Sequence, residues 1–434
     1  MPPLWYRAAW ALARPFAPLT PGGRKFARAV RGRAGAADAL VAWAAAHREP
    51  SRPLVWIHAA SVGEGRQAEA VLVRLRAARP AWQYVFTHSS PSAERLAASL
   101  PVDFAGYVPA DTPGDAGRAL DAVRPALLAF SATDVWPELV RQAARRDVRL
   151  ALVSANLSER SSRLGALARA LLRETYATLD RVGAIDEADA ARLVALGAAP
   201  RRVVVTGDAR HDAAQARAAA LDRGAPHLRA LTAGAGDGRP IVVAGSTWPA
   251  DEACLLEAAA RAGTAAPRLV VAPHEPNAAH LADLRSRVAR RLPAARTRTL
   301  SDLEADAGGA WDVCLVDRVG VLAELYAAAA VAYVGGGFGR AGLHSVIEPA
   351  ALGVPVLFGP LWQGSRDARL LRDAGGGRAV DDAATLSDAL AAWLSNETAR
   401  ATAGAAARAV VERGRGAADR SVSLLLGLME GRGA

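Results

Sequence analysis

The chain has 434 residues, 51% of them hydrophobic and 22% charged, with only two cysteines, Cys254 and Cys314. Those figures exclude a disordered, collagen-like or disulfide-scaffold protein and predict two to three folded domains in a reducing compartment. The formal charge is +10, from 53 basic and 43 acidic residues, and Lys25 is the only lysine. A surplus of this size suits an anionic membrane surface or phosphorylated substrates. With aromatics at 5% and no basic block interleaved with them, nucleic acid is not an expected partner.

In chain order, the first segment of interest is 4–18, LWYRAAWALARPFAP. It is too short and too interrupted to span a bilayer, which takes about 20 mainly apolar residues. On a helix, Trp5, Ala9, Leu12 and Phe16 share one face, with Arg7 and Arg14 opposite. Arg24, Lys25, Arg28, Arg31 and Arg33 follow. This pattern predicts a basic amphipathic membrane-associating segment over 1–35; packing on the protein body is the alternative.

From residue 54, short apolar runs alternate with Ala/Leu/Arg stretches of helical period, as in βαβ units with a parallel sheet. The first set is 54–58, 83–87, 104–108, 126–130, 149–153, 181–185 and 202–206. After a polar Ala/Gly-rich linker over 216–238, the second set is 240–244, 268–272, 312–316, 331–334, 355–358 and about 377–380. Two Rossmann-like domains, 36–215 and 239–400, are expected. A C-terminal helix over 401–434 would then cross back to the first domain. Ligands of such sheets bind at the carboxyl ends of the strands, so the residues after each run carry the chemistry.

After 54–58 comes HAASVGEGRQ, which opens a helix with Ser61, Gly63 and Glu64. Glu64 caps the helix or acts as a general base at a strand end. SATDVWPEL follows 126–130 and brings Asp134, which orients a substrate or caps, with Pro137 suited to a helix start. In the second half, AGSTWPADE places Ser246 and Thr247 where hydroxyls and helix N–H groups hold phosphate oxygens. VAPHEP places His274 at the next strand end.

YVGGGFGRAGLHSVIEPA is the most informative stretch. Gly335, Gly336 and Gly337 let the backbone approach a ligand and aim N–H groups at an anion. His344 and Ser345 lie close by, and Glu348 is placed to accept hydrogen bonds from ribose hydroxyls.

Together WIHAASVGEG (56–65), YVPADTP (107–113), TDVWPEL (133–139), LVSANLSERS (152–161), VTGDARHD (205–212), GSTWPADE (245–252), APHEP (272–276), ELY (324–326) and GGGFGRAGLHSVIEPA (335–350) resemble the 3-deoxy-D-manno-octulosonic acid (Kdo) transferases. The resemblance implies an α/β GT-B fold, two doubly wound parallel-sheet domains with an interdomain cleft. It implies inverting transfer of Kdo from CMP-Kdo to a lipid A precursor in lipopolysaccharide assembly, with no metal or other cofactor, peripherally on the cytoplasmic face of the bacterial inner membrane. The family's base matches Glu64, and its nucleotide-binding residues match Ser246, Thr247, the region of His274, the three glycines and Glu348. Ser345 stands where many members have Asn, and Arg210 where they have Lys. Of the two acids that flank a threonine in many members, only the second is retained, shortened to Asp134, with Ala132 at the first. The family's Arg-His pair appears as His274-Glu275. A UDP-sugar transferase or epimerase, and a non-catalytic nucleotide-sugar-binding protein, are the alternatives to be tested against.

Overall fold

The computed structural model describes residues 23–159, 161–233, 238–306, 308–339 and 341–431. The segment 4–18, and with it the expected interfacial helix, lies outside them. Among the described residues no helix is long and apolar enough to cross a membrane.

The chain divides into two compact units. The first takes the described residues through Ala213 and returns at Gly414; the second is Ala214–Arg413. In the first unit seven parallel strands, β1 (Leu54–His58), β2 (Gln83–His88), β3 (Phe104–Tyr107), β4 (Leu127–Ser131), β5 (Arg149–Ala155), β6 (Arg181–Ala184) and β7 (Val203–Val205), lie in the order β3-β2-β1-β4-β5-β6-β7. Helices cover both faces, so neighbouring strand residues are buried on opposite sides. Trp56, Val85, Leu128, Phe130 and Leu152 form one core with Leu40 and Leu120 from helices. Val55, Ile57, Phe86, Leu127 and Val153 form the other.

The second unit repeats the plan with β8 (Ile241–Thr247), β9 (Arg268–Pro273), β10 (Thr297–Thr299), β11 (Val313–Leu315), β12 (Val331–Val334), β13 (Val356–Phe358) and β14 (Gly377–Ala379) in the order β10-β11-β9-β8-β12-β13-β14. Its cores again divide by face, Val243, Val270 and Phe358 on one and Val242, Val271 and Tyr333 on the other.

Each sheet therefore has a switch point, between β1 and β4 in the first and between β8 and β12 in the second. Crossovers leave to opposite sides there, so the loops part and expose the strand ends.

Three stretches of the chain carry more than the sequence reading gave them, and the return of the chain at Gly414 to the first unit agrees with the expected crossing back. The interval 216–238, read as a linker, contains the end of helix Ala209–Ala219 and a helix Pro226–Ala233. His227, Leu228, Ala230 and Leu231 are buried on the latter, whose eight residues are too few for a clear helical period. The stretch 401–434 holds the end of helix Glu397–Arg413 and a separate helix, Ala417–Glu430. The break falls at Gly416, which has φ +79°. Asp212 accepts from the Gly416 and Ala418 amides at 2.9 and 2.8 Å, and Ala418, Val422, Leu425 and Leu428 complete a core of the first unit. Finally, β10 (TRT) has no apolar run to announce it, because it is a half-buried edge strand of three residues.

Candidate active site

At the β1/β4 switch, Ser61 and Glu64 form a capping box that starts helix Val62–Ala78. Glu64 Oε2 accepts from the Ser61 amide at 3.1 Å. Ser131, at the end of β4, donates to the Glu64 carbonyl at 3.1 Å and ties the helix start to the neighbouring strand. Burial, then the nearby charge of Asp134, pushes the Glu64 pKa up to about 7, against the pull of the Ser61 and Ala60 amides and of Arg163. Capping and proton affinity near neutrality thus coexist in one side chain.

Asp134 follows a tight turn in which Ala132 takes φ +64°. Its Oδ2 lies 3.3 Å from His58 Nε2 and accepts from the Trp136 indole at 3.2 Å. Burial works to raise its pKa, but the His58 hydrogen bond and the charges of His58, Arg163 and Arg33 outweigh it and hold the carboxyl below its ordinary value. Two acids in one site are thereby pushed in opposite directions, a pattern that separates a proton acceptor from a fixed charge.

At the β8/β12 switch, Ser246 is the extra residue of a bulge between β8 and β9, with φ +54°. A non-glycine residue there is strained and uncommon, and such strain concentrates at functional sites. Thr247 is fully buried, and its hydroxyl donates to Glu252 at 3.1 Å. The expectation that this hydroxyl meets phosphate is therefore corrected. Glu252 is itself buried and held by His280 at 2.8 Å and by Arg287.

The glycines are corrected too. The Gly335 amide donates to the Gly245 carbonyl at 2.9 Å, and that of Gly336 donates to the Asp251 carboxylate at 3.0 Å, so both are already taken up within the protein and neither is left for a ligand phosphate. What requires them is space and backbone conformation. A Cβ on Gly335 would sit 2.4 Å from the Ser246 carbonyl oxygen, and one on Gly337 would sit 2.6 Å from the Gly359 nitrogen. Gly336 has φ +94°, and its Cβ would meet the Gly342 carbonyl oxygen at 2.1 Å. Asp251, fully buried, also accepts from the Tyr333 hydroxyl at 2.8 Å and the Trp248 amide at 2.9 Å, joining the β8 and β12 ends.

The exposed His274 ring stacks on Trp248 and His344 at centroid distances of 4.9 and 4.5 Å. His344 Nε2 accepts from the Trp248 indole at 3.1 Å, and burial, followed by the His274 charge, lowers its pKa to about 4. It is neutral at pH 7, with its remaining proton on Nδ1. Ser345 donates to Glu348, whose other oxygen accepts from Arg217 at 3.2 Å. Arg210 lies in the first unit, where its guanidinium forks onto Asp208, with Nε at 2.9 Å.

The structure places Ser246 at the end of β8, His274, His344, Ser345 and the glycines in loops after strands of the same sheet and Glu348 in the short helix Ile347–Ala351, and it places Glu64, in the first turn of helix Val62–Ala78, with Asp134 at the strand ends of the other sheet. Sequence reasoning missed His58, Asp251 and Glu252, and it placed Trp136 at a strand end without giving it a role. A helix-start signal was present for Asp251, three residues after Trp248, but an indole in place of a capping Ser or Thr obscured it.

Solved structures define the class. The UDP-GlcNAc 2-epimerase from Neisseria meningitidis, bound to UDP-GlcNAc, aligns with a TM-score of 0.61 over 86% of this chain and 100% of its own, at 12% identity. A glycosyltransferase from Rickettsia africae aligns with a TM-score of 0.58 over 87% and 98%, at 11% identity. The fold is thus the two-sheet GT-B architecture shared by glycosyltransferases and epimerases. Within it, residues 30–213 match the family described as 3-deoxy-D-manno-octulosonic-acid transferase (kdotransferase). The chain is 33% identical over 387 residues to the 3-deoxy-D-manno-octulosonic acid transferase of Bordetella pertussis, covering 86% of each. It is 28% identical over 383 residues to that of Haemophilus influenzae, covering 87% of each. The chain belongs to the 3-deoxy-D-manno-octulosonic acid transferase family and is a glycosyltransferase.

Proposed function

We propose that this enzyme transfers Kdo from CMP-Kdo to a hydroxyl of a lipid A precursor in lipopolysaccharide assembly, with inversion at the ketosidic carbon. Family membership supports the reaction class, and the position and proton affinity of Glu64 carry the mechanism. The acceptor oxygen attacks as CMP departs, and its proton passes to the Glu64 carboxylate. Charge that builds on the leaving phosphate is met by Ser246 and the loop at Gly337. Glu348 and Ser345 serve the ribose, and His274 and His344 the remainder of the nucleotide. The resemblance further implies that no metal takes part.

The deciding experiment is a single-turnover assay with CMP-Kdo and a lipid A precursor, with and without EDTA, beside calorimetry with CMP and UDP. Expected are transfer that EDTA leaves unchanged and preferential binding of CMP; a preference for UDP defeats the donor assignment.

We further propose peripheral attachment to the anionic cytoplasmic face of the inner membrane through the basic amphipathic start of the chain. The +10 charge and the 4–18 pattern support it. Deleting residues 1–22 is expected to weaken binding to anionic vesicles several-fold; unchanged binding defeats the assignment.

A further inference from the structure

Asp134 turns one carboxylate oxygen toward side chains of its own unit. The Trp136 indole donates to His58 Nε2 at 3.0 Å and to Asp134 Oδ2 at 3.2 Å, and His58 Nε2 itself lies 3.3 Å from Oδ2. The His58 ring is fully buried, and its Nδ1 lies 3.0 Å from Thr87 Oγ1 on β2. The same hydroxyl oxygen accepts from the Trp56 indole at 2.8 Å. Residues of β1, β2 and the loop after β4 therefore fix one carboxylate in place, where a group meant only to follow a mobile acceptor would need no such anchorage.

Charged and titratable groups of several described elements surround the two acids, the buried Tyr176 among those near Asp134 and Arg163. Glu64 faces Asp134, Arg163 from the 3₁₀ turn Ser162–Leu164, and the Ser61 and Ala60 amides. Asp134 faces His58 on β1, Arg163 at 4.0 Å, and Arg33 from helix Gly23–Ala34. The Arg33 guanidinium also covers Trp136, 4.0 Å from the ring centroid.

We propose that His58 and Trp136 are positioning residues that anchor Asp134 as a permanent carboxylate, and that Asp134 serves the reaction through its charge on Glu64 rather than by contact with the acceptor. This rests on Glu64 being the base. A like charge held nearby disfavours ionisation of Glu64 and so makes its carboxylate a stronger proton acceptor. Burial contributes more to that effect than Asp134 does, but burial alone would also tend to protonate Asp134. The His58 contact, with the charges of His58, Arg163 and Arg33, prevents this, so one acid stays charged while its neighbour titrates.

The test combines the pH dependence of kcat with a carboxyl ¹³C NMR titration of substrate-free full-length enzyme. In Asp134→Asn, which keeps the shape and removes the charge, the Glu64 midpoint should fall by about half a unit or more, and the acid limb of kcat should move down with it. The acceptor KM should change less than about twofold, since the proposal gives Asp134 no contact with that substrate. Trp136→Phe keeps the ring and loses one donor, so the midpoint of Asp134 itself should rise; this variant also gives a readout if the Asn variant does not fold. A Glu64 midpoint that stays put in Asp134→Asn overturns the proposal, as does a large rise in acceptor KM or an unmoved Asp134 midpoint in Trp136→Phe. Parental turnover in Glu64→Gln would instead remove the base assignment itself. An inactive Glu64→Gln enzyme with an unmoved Glu64 midpoint in Asp134→Asn overturns the role given to Asp134 and leaves the base assignment standing.

Discussion

The two switch points use polar groups in opposite ways. Beside β1 and β4, Glu64 and Asp134 have displaced proton affinities, and their charges act on one another. Beside β8 and β12, the carboxylates of Asp251 and Glu252 are fully buried and spent on backbone amides, hydroxyls and cations of their own loops. One end holds two acids whose proton affinities are moved apart. The other holds groups that keep the backbone in a conformation it would not otherwise adopt, with Ser246 at φ +54° and Gly336 at φ +94° as its products. A strand-end acid is thus a chemical group or a structural strut according to whether its oxygens are already satisfied.

The sharpest way to break this contrast is Glu64→Gln. Removing a general base is expected to lower kcat by about 10²–10⁴ while CMP affinity stays unchanged, measured by transfer assay and calorimetry. The next effect belongs to the other end. Gly336→Ala forces a side chain into a left-handed backbone and onto the Gly342 carbonyl, an overpacking cost of about 1–3 kcal/mol, seen as a lower melting temperature and weaker CMP binding. The pH dependence is smaller and distinguishes the two ends further. With the Glu64 pKa raised to about 7, the base is ionised above that pH and protonated below it. The rate of chemistry should therefore rise about tenfold per unit below pH 7 and level off above it. The limb should vanish in Glu64→Gln and persist in Gly336→Ala.

Much of the fold was legible because parallel strands covered on both faces are near-continuous apolar runs, as LVWIH at β1 and VAYV at β12 show. Where that physics lapses, so does legibility. β10 is polar because it is an edge, and helix Pro226–Ala233 is too short for its period to stand out. In the site, Glu64 was legible as both cap and candidate base because local spacing makes the first and strand-end placement the second. The status of the Gly335 and Gly336 amides was not legible, since their acceptors, the Gly245 carbonyl and Asp251, lie some 90 positions away in the chain. The anchorage of Asp134 is likewise long-range: His58 precedes it by 76 residues. Motif spacing reports what neighbours do along the chain, whereas hydrogen-bond satisfaction is decided across the sheet.

The return of the chain at Gly414 has a consequence for biosynthesis. Asp212 supplies the acceptor that starts helix Ala417–Glu430, and that helix furnishes Leu425 and Leu428 to a core whose other members were made hundreds of residues earlier. On the ribosome, the later-coded unit is complete before the earlier-coded one, which must wait with an unfilled apolar face until the codons for Ala417–Glu430 are read. Nascent chains stalled shortly before Gly414 should therefore expose the first unit, not the second, to proteases and chaperones.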